Sequence, residues 1–333
     1  MDNKISLGVL LPVGMAQWGE GTDPRELVGF AARAEGAGYD SLWVNDSLLS
    51  PRIEALTMLA AVAPVTEHVT LGTATLMPVL RRPVQAAQTL ASIDLLSGGR
   101  LAVAVGAGFP GRFGRPLHDL SEVPWDGRFA RLDETVALWR QLWAGDGPSS
   151  FHGKVLHFDA IPPMTPPYRP GGPPIWLGGA APTALDRTGR LYDGWLPYPP
   201  DPADYRTGLA RVRRAAEDAG RLPAAVTAAL FVSVLVTDSA DGGRAALEDY
   251  SRANYGLPFE QLRAIQAVVA GPPEHVAAQL GRYITAGARH LVCRIAAPSL
   301  RSQREQLERI AGILPALRGD AGPRATRQVA EDA

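Results

Sequence analysis

One cysteine, Cys293, stands among 333 residues, which excludes an intrachain disulfide. Set in LVCRI, it reads as a buried strand residue rather than a nucleophile. An excess of one charge is also missing. Lys plus Arg number 33 against 34 Asp plus Glu, a net charge of −1. The chain therefore carries no electrostatic footprint for nucleic acid or for an anionic membrane. No apolar run approaches the roughly 18–20 residues of a transmembrane helix. The first residues, MDNKISLGVLLP, enter a strand at once and lack the charge, apolar run and cleavage pattern of a signal peptide, so the expected location is the cytoplasm. The histidines His68, His118, His152, His157, His275 and His290 show no metal-ligand spacing, and no metal is expected.

What is present is a rhythm of strand and helix. Hydrophobic residues make up 46% and charged residues 20% of the chain, enough apolar material for a large core. The most informative stretch is 71–108, LGTATLMPVLRRPVQAAQTLASIDLLSGGRLAVAVGAG. Residues 70–77 (TLGTATLM) form an apolar, β-rich run that Pro78 stops. Pro83 opens a helix to about Leu96, and Gly98-Gly99 ends it. Residues 101–105 are a second apolar run, followed by Gly106-Ala107-Gly108. A short apolar strand that needs a helix to reach the next is the βαβ unit of a parallel sheet.

The rhythm continues along the chain. Further strands are read at 5–11, 41–45, 175–177, 194–196, 227–236 and 290–295. Helices are read from Thr22 or Asp23 to about Glu35, and at 53–65, 128–143 and 274–286. The joint EGAGYDSLWV near the start echoes TAGARHLVCR near the end. Eight strands in a chain of this length predict an α/β fold, a (β/α)8 TIM barrel, as a single domain over 1–318. Insertions break the rhythm after the fourth strand and before the fifth, at 109–128 and 145–174. The second holds PSSFHGKVLHF, a short hairpin, and a proline-rich connection. In a barrel the first would sit over the catalytic mouth. Residues 319–333 are a polar tail, expected to be disordered.

Two glycine clusters lie where strands end. Gly178-Gly179-Ala180 follows the strand IWL and precedes a helix beginning near Pro182-Thr183. Backbone amides at a helix N-terminus form an anion site, and glycine permits close approach. A plain strand-to-helix turn has the same residues. Gly106-Ala107-Gly108 opens no helix and has no acidic residue about 20 positions on, so it is not a dinucleotide fingerprint.

Read together, GYDSLWVND, the stretch 66–108, RLDETVALWRQLW, PPIWLGGAAPTALDRTGRLYDGWLP and the late GPPEHVAAQL…AGARHLV resemble the bacterial luciferase-like flavin-dependent oxidoreductases. The matching pieces run from the second strand to the eighth. The resemblance implies a (β/α)8 barrel holding FMN or the deazaflavin F420 at the carboxyl-end face, often in dimers. It implies a flavin phosphate contacted by Gly178, Gly179, Ala180 and Thr183, and a flavin wall at Gly106, Ala107 and Gly108. It also implies a non-prolyl cis peptide at Ala74-Thr75, supporting the ring system.

Many relatives carry an acidic residue followed by His after the second strand. This chain has Asp46, and Ser47 stands where the His would be. Asp46 is a candidate to orient flavin or substrate, and a solvated loop carboxylate is the competing reading. Without a base near the hydride donor carbon, simple alcohol oxidation is disfavoured, while reduction is not. His118, in the insertion after the fourth strand, is the second catalytic candidate, and a surface or packing residue is the competing reading. Arg81-Arg82 read as a solvated loop pair, with contact to a cofactor or substrate anion as the alternative, and Asp133-Glu134 as a solvated helix face. Trp139, Leu142 and Trp143 read as core or dimer contacts.

The leading reading is a luciferase-like monooxygenase using reduced FMN and O2 on a small organic substrate. Its partners would be that substrate and a reductase supplying the flavin, and its expected state is a homodimer. The rival chemistry is F420-dependent hydride transfer. A third reading is a non-catalytic flavin-binding subunit. A cofactor-free hydrolase would need a carboxylate pair or metal set that the chain does not offer.

Overall fold

Residues 4–19, 21–108, 114–145 and 147–319 are described in the computed structural model of the protein. The strands, in chain order, are β1 (Ser6–Leu10), β2 (Ser41–Val44), β3 (Thr70–Leu76), β4 (Leu101–Val105), β5 (Ser149–His152), β6 (His157–Ile161), β7 (Ile175–Gly178), β8 (Gly194–Leu196), β9 (Thr227–Val236), β10 (Val268–Gly271) and β11 (His290–Ile295). The large sheet runs β9-β11-β1-β2-β3-β4-β7-β8, and pairing of β8 with β9 closes it. Every pairing in it is parallel. This is the (β/α)8 barrel predicted from the apolar runs, and all eight predicted strands are found.

One strand escaped sequence reading. β9 has ten residues and β8 only three, so β8 leaves the carboxyl half of β9 without a partner on that side. β10 takes its place, pairing Val268 with Ser233 through Gly271 with Val236, which satisfies backbone groups that burial would otherwise orphan.

Strand alternation divides the side chains. Leu10, Trp43, Ala74, Ala102, Ala104, Trp176, Leu196, Ala229 and Val292 face the barrel interior. The other face packs against the helices in the larger core. Two tryptophans fill much of the barrel: the rings of Trp43 and Trp176 lie 5.0 Å apart. Their bulk needs glycine opposite. A Cβ on Gly72 would come within 2.4 Å of Trp43, and one on Gly194 within 2.4 Å of Trp176. His290 packs edge-on against both rings. Its Nε2 is 2.8 Å from Ser41 Oγ, which accepts from Trp43 Nε1 at 2.7 Å.

The hairpin β5–β6 and the proline-rich connection do not cover the mouth. Glu134 accepts from the amides of Lys154, Val155 and Leu156 at 2.7–2.9 Å and pins the hairpin turn to the helix Arg128–Ala144. The connection then returns to the amino end of the barrel. Arg169 N–H donates to Asp94, its guanidinium donates to the Gly99 carbonyl, and Val103 N–H donates to the Pro174 carbonyl. These segments are packing arms.

The reading of Asp133-Glu134 as a solvated face is thereby corrected. Asp133 accepts from Arg187 Nε at 2.6 Å and from the Tyr192 hydroxyl at 2.9 Å, joining two helices. Trp139 and Trp143 are buried, as expected, and donate to the carbonyls of Pro83 and Ala87. Cys293 is buried and free, and burial pushes its thiol up to about 12. The expected disordered tail beyond Gly319 lies outside the described residues. No helix among the described residues is long and apolar enough to cross a membrane.

Candidate active site at the barrel mouth

The carboxyl ends of the barrel strands carry the residues that sequence reading singled out. In β3 the Ala74-Thr75 peptide is cis, as expected, and the register with β4 breaks between Thr73 and Leu76. The bulge turns Thr75 towards β4 and β7. A Cβ on Gly106 would lie 3.0 Å from Thr75 Oγ1, and one on Gly178 would lie 3.0 Å from Thr75 Cγ2. Three predicted residues from three neighbouring strands thus meet at one point. The two glycines make room for the Thr75 side chain, a reason that sequence reading did not give them.

The chain after β7 is shaped differently. Gly179 has φ +102°, a left-handed conformation that L side chains avoid. Its carbonyl accepts from Trp195 Nε1 at 2.9 Å. The helix Pro182–Leu191 begins immediately afterwards, and its N-cap residue, Ala181, has no side-chain cap bond. Ala180 and Thr183 are exposed. Free amides at an exposed, uncapped helix start, beside a barrel mouth, suit an anionic group such as a phosphate.

Gly108 also has a positive φ, +100°. His118, on the helix Arg115–Leu120, is fully buried. Its Nε2 is 3.1 Å from the Ala107 carbonyl and its Nδ1 is 3.2 Å from the Pro124 carbonyl, and its ring packs edge-on against Trp125. Both ring nitrogens face backbone carbonyls, so His118 holds the β4 turn against the loop above it and presents no nitrogen to the mouth.

Asp46 is likewise committed. Its carboxylate accepts from Met77 N–H at 3.0 Å and from the two terminal nitrogens of Arg81 at 2.5 and 3.1 Å. Arg81 also reaches Glu54 at 2.8 Å. Only 7% of the Asp46 side chain and 22% of the Arg81 side chain are exposed. The solvated-pair reading of Arg81-Arg82 is corrected: Arg81 is a half-buried link between the β2 and β3 loops, and Arg82 alone is exposed. Burial disfavours the Arg81 charge, yet Asp46 and Glu54 hold it above the usual guanidinium range. Burial works against the Glu54 charge too, but the Thr57 amide and Arg81 hold its carboxyl below the usual range.

Sequence reading missed a second group at the mouth. Arg294 follows Val292 by two residues on β11 and so shares the barrel-facing side. Its terminal nitrogens donate to the Tyr255 hydroxyl at 2.7 Å and to Asn254 Oδ1 at 3.1 Å. The Tyr250 and Tyr255 rings lie 5.4 and 5.2 Å from its guanidinium carbon. Arg52 arrives from the β2 loop, which bridges to Gly14 of the β1 loop. Burial, and then the charge of Arg294, lower Arg52 below the usual guanidinium range. Tyr198, after β8, is pushed up to about 12 by burial and by Tyr255, so it keeps its proton at neutral pH. The signal for Arg294 was present: a charged residue at the fifth position of the strand HLVCRI, next to Cys293 and Ile295. No cluster of three metal-ligating side chains exists among the described residues.

A closed parallel barrel with a reshaped third strand and an open helix start after its fifth barrel strand defines a barrel enzyme scaffold whose chemistry sits at the carboxyl end. A model of the luciferase-like monooxygenase family matches residues 5–290, and the chain belongs to that family. It is 31% identical over 335 residues to an F420-dependent glucose-6-phosphate dehydrogenase of Nakamurella multipartita, covering 90% of this chain and 94% of that one. It is 29% identical over 319 residues to the protein of the same name in Amycolatopsis mediterranei, covering 85% and 92%. Among solved structures, an F420-dependent secondary alcohol dehydrogenase in complex with an F420-acetone adduct superposes with a TM-score of 0.79 at 23% identity, covering 95% of this chain and 99% of that one. That likeness is one of fold.

Proposed function

We propose that this protein is an oxidoreductase that holds a flavin or deazaflavin at the carboxyl-end mouth of its barrel and transfers a hydride to a small organic substrate. F420 is the preferred cofactor. The observation that carries the reading is the pairing of the Ala74-Thr75 bulge with the open helix start at Gly179–Thr183 on the same rim. The first suits the face of a flat ring and the second suits a phosphate. F420, when bound in its reduced form, supplies the hydride. Thr75, Gly106 and Gly178 form the wall, Gly179, Ala180 and Thr183 offer amides to the phosphate, and His118 holds the Ala107 turn in position. The curated relatives named above, at 29–31% identity over most of both chains, support F420 over FMN.

The direction follows from the groups at hand. Asp46 is occupied by Arg81, and Ser47 stands where many relatives have His, so an unoccupied base for alcohol oxidation is missing from the β2 loop. The missing base disfavours oxidation and leaves reduction as the favoured direction. Oxygenation with reduced FMN is the second reading, favoured by the same missing base. A reductase partner, a homodimeric state and a cytoplasmic location accompany these readings.

Titration of the purified protein with F420, FMN and reduced FMN, followed by fluorescence and difference spectra, tests the reading. Saturable F420 binding with none for FMN is expected. Binding of FMN alone would replace hydride transfer by oxygenation, and binding of none of them would sink the enzyme reading. Gly179→Asp should abolish cofactor binding while circular dichroism and the melting temperature show a folded protein.

A further inference from the structure

We propose that Arg294 is the residue that selects the substrate, and that the substrate is a small monoanion carrying a carboxylate. This rests on the reading of the mouth as the cofactor site. The sheet register places Arg294 across the mouth from the cofactor wall. β11 and β4 are four strands apart in either direction round the closed barrel. One step beyond the Val9–Cys293 pair, Arg294 lies beside Leu10, and paired residues lead on through Trp43 and Gly72 to Ala102 on β4. Continued through β7, β8 and β9, the circuit counts back to Ala286, eight residues before Arg294. An offset of eight is the shear of a (β/α)8 barrel. Half the circuit carries half of it, so the β4 residue level with Arg294 lies four beyond Ala102, at Gly106. Both positions are on the inward-facing side of their strands, Arg294 with Val292 and Gly106 with Ala102 and Ala104. A flat ring against Thr75, Gly106 and Gly178 therefore has Arg294 facing it, and a substrate between them meets the guanidinium.

The guanidinium is short of negative charge. It forms no ion pair among the described residues. Its two hydrogen bonds go to neutral groups, the Tyr255 hydroxyl and Asn254 Oδ1, and its Nε is buried with no partner at all. The neighbours are neutral too. Ser233, its register partner on β9, is buried and accepts from Gln266 Nε2 at 3.5 Å, and Gln266 also reaches the Tyr255 hydroxyl at 3.3 Å. Other half-buried arginines are better satisfied. Arg81, Arg187 and Arg318 each meet a carboxylate. Arg100 meets none, but all of its nitrogens donate to carbonyls or to a hydroxyl. A half-buried cation with neither provision is costly until an anion joins it.

The same surroundings set the class of anion. One cation answers one negative charge. A carboxylate carries that much, whereas a phosphate ester carries about two at neutral pH and would leave the second unmet among neutral side chains. Tyr250 and Tyr255 flank the guanidinium, so little ordering remains when an anion binds. A planar donor held in this way suits the planar carboxylate.

Calorimetric titration with benzoate, methyl benzoate and phenyl phosphate tests the assignment, because the three share a ring and differ in charge. Benzoate should bind the wild type, with or without F420, about tenfold or more tighter than either of the others. Arg294→Gln should bring benzoate down to the level of methyl benzoate. Asn254→Asp puts a carboxylate where Asn254 Oδ1 already accepts from Arg294. The variant supplies the missing charge from within, so it should keep or raise the melting temperature and weaken benzoate about tenfold or more. Were Arg294 only a clamp on the helix Ala240–Tyr255, Asn254→Asp would tighten the clamp and leave benzoate binding unchanged, and that result would overturn the proposal. So would phenyl phosphate or methyl benzoate binding as tightly as benzoate, or no saturable benzoate binding. Asn254→Asp decides the matter if Arg294→Gln does not fold.

F420 affinity of the same variants keeps the two readings apart. Retention of F420 binding in Arg294→Gln and Asn254→Asp is expected. Loss of F420 and benzoate in equal proportion would assign Arg294 to the cofactor and overturn its role in substrate choice. A wild type that binds F420 and no benzoate would end this proposal alone. One that binds benzoate through Arg294 and no flavin would sink the cofactor reading and leave the carboxylate site standing.

Discussion

Asp46 and Arg81 are joined by two hydrogen bonds, of 2.5 and 3.1 Å, at the point where the β2 loop meets the end of β3. The same carboxylate caps the Met77 amide, two residues beyond the cis peptide. A carboxylate engaged by three donors orients backbone and does not accept a substrate proton. Asp46→Asn keeps the shape and removes the charge, leaving Arg81 with Glu54 alone. The expected loss is about 1–3 kcal/mol of stability in urea denaturation, with cofactor affinity falling alongside. If Asp46 acted instead as a base, the variant would keep its stability and affinity and lose turnover.

Much of this was legible in the chain. Strands buried on both faces read as apolar runs, and the eight runs of this barrel stood out for that reason. The turns that end them, with Gly106 and Gly178, were legible as small residues, but their reason was not. Thr75 fills the space beside both, and only the register break in β3 brings it there. Partnerships between distant residues were invisible: Asp46 with Arg81, Glu134 with the hairpin amides, and Arg294 with Tyr255. Each links segments that sequence spacing cannot relate. β10 was hidden because Val268–Gly271 is short and its partner lies in the second half of an unusually long strand.

The contact of Thr75 with both glycines makes a paired test. Gly178→Ala places a methyl 3.0 Å from Thr75 Cγ2, and Gly106→Ala places one 3.0 Å from Thr75 Oγ1. Each should cost about 1–3 kcal/mol by overpacking, read by denaturant midpoint. Thr75→Ser removes Cγ2 and keeps Oγ1. It should therefore rescue Gly178→Ala and fail to rescue Gly106→Ala. Rescue of both, or of neither, would mean that the glycines are small for another reason.

His118 provides a test of position against chemistry. Its two nitrogens face the carbonyls of Ala107 and Pro124. His118→Ala removes both contacts from a buried site and should destabilise the protein by about 1–3 kcal/mol, with weaker cofactor binding as the Ala107–Gly108 turn loosens. The pH profile of kcat should keep its shape. A profile that loses a limb in the variant would return His118 to the catalytic machinery.

His290 sets a pH dependence of the fold. Burial among Trp43 and Trp176 lowers it from 6.5 to about 4, with Asp40 opposing the shift weakly. The group is therefore neutral in the folded barrel, and Ser41 Oγ, which already accepts from Trp43, can donate to Nε2. Between pH 6.5 and 4 the unfolded chain binds a proton at this position that the folded chain does not, so stability rises with pH across that window. The contribution is complete above pH 6.5 and lost as pH falls through about 4, at most about 3 kcal/mol over the range. Denaturant midpoints at pH 7, 5.5 and 4.5 should fall steadily in the wild type. His290→Gln keeps a neutral hydrogen-bonding group next to Ser41, and its midpoints should fall less steeply over the same interval. Parallel curves for the two proteins would show that the barrel interior tolerates the imidazolium and that acid sensitivity arises elsewhere.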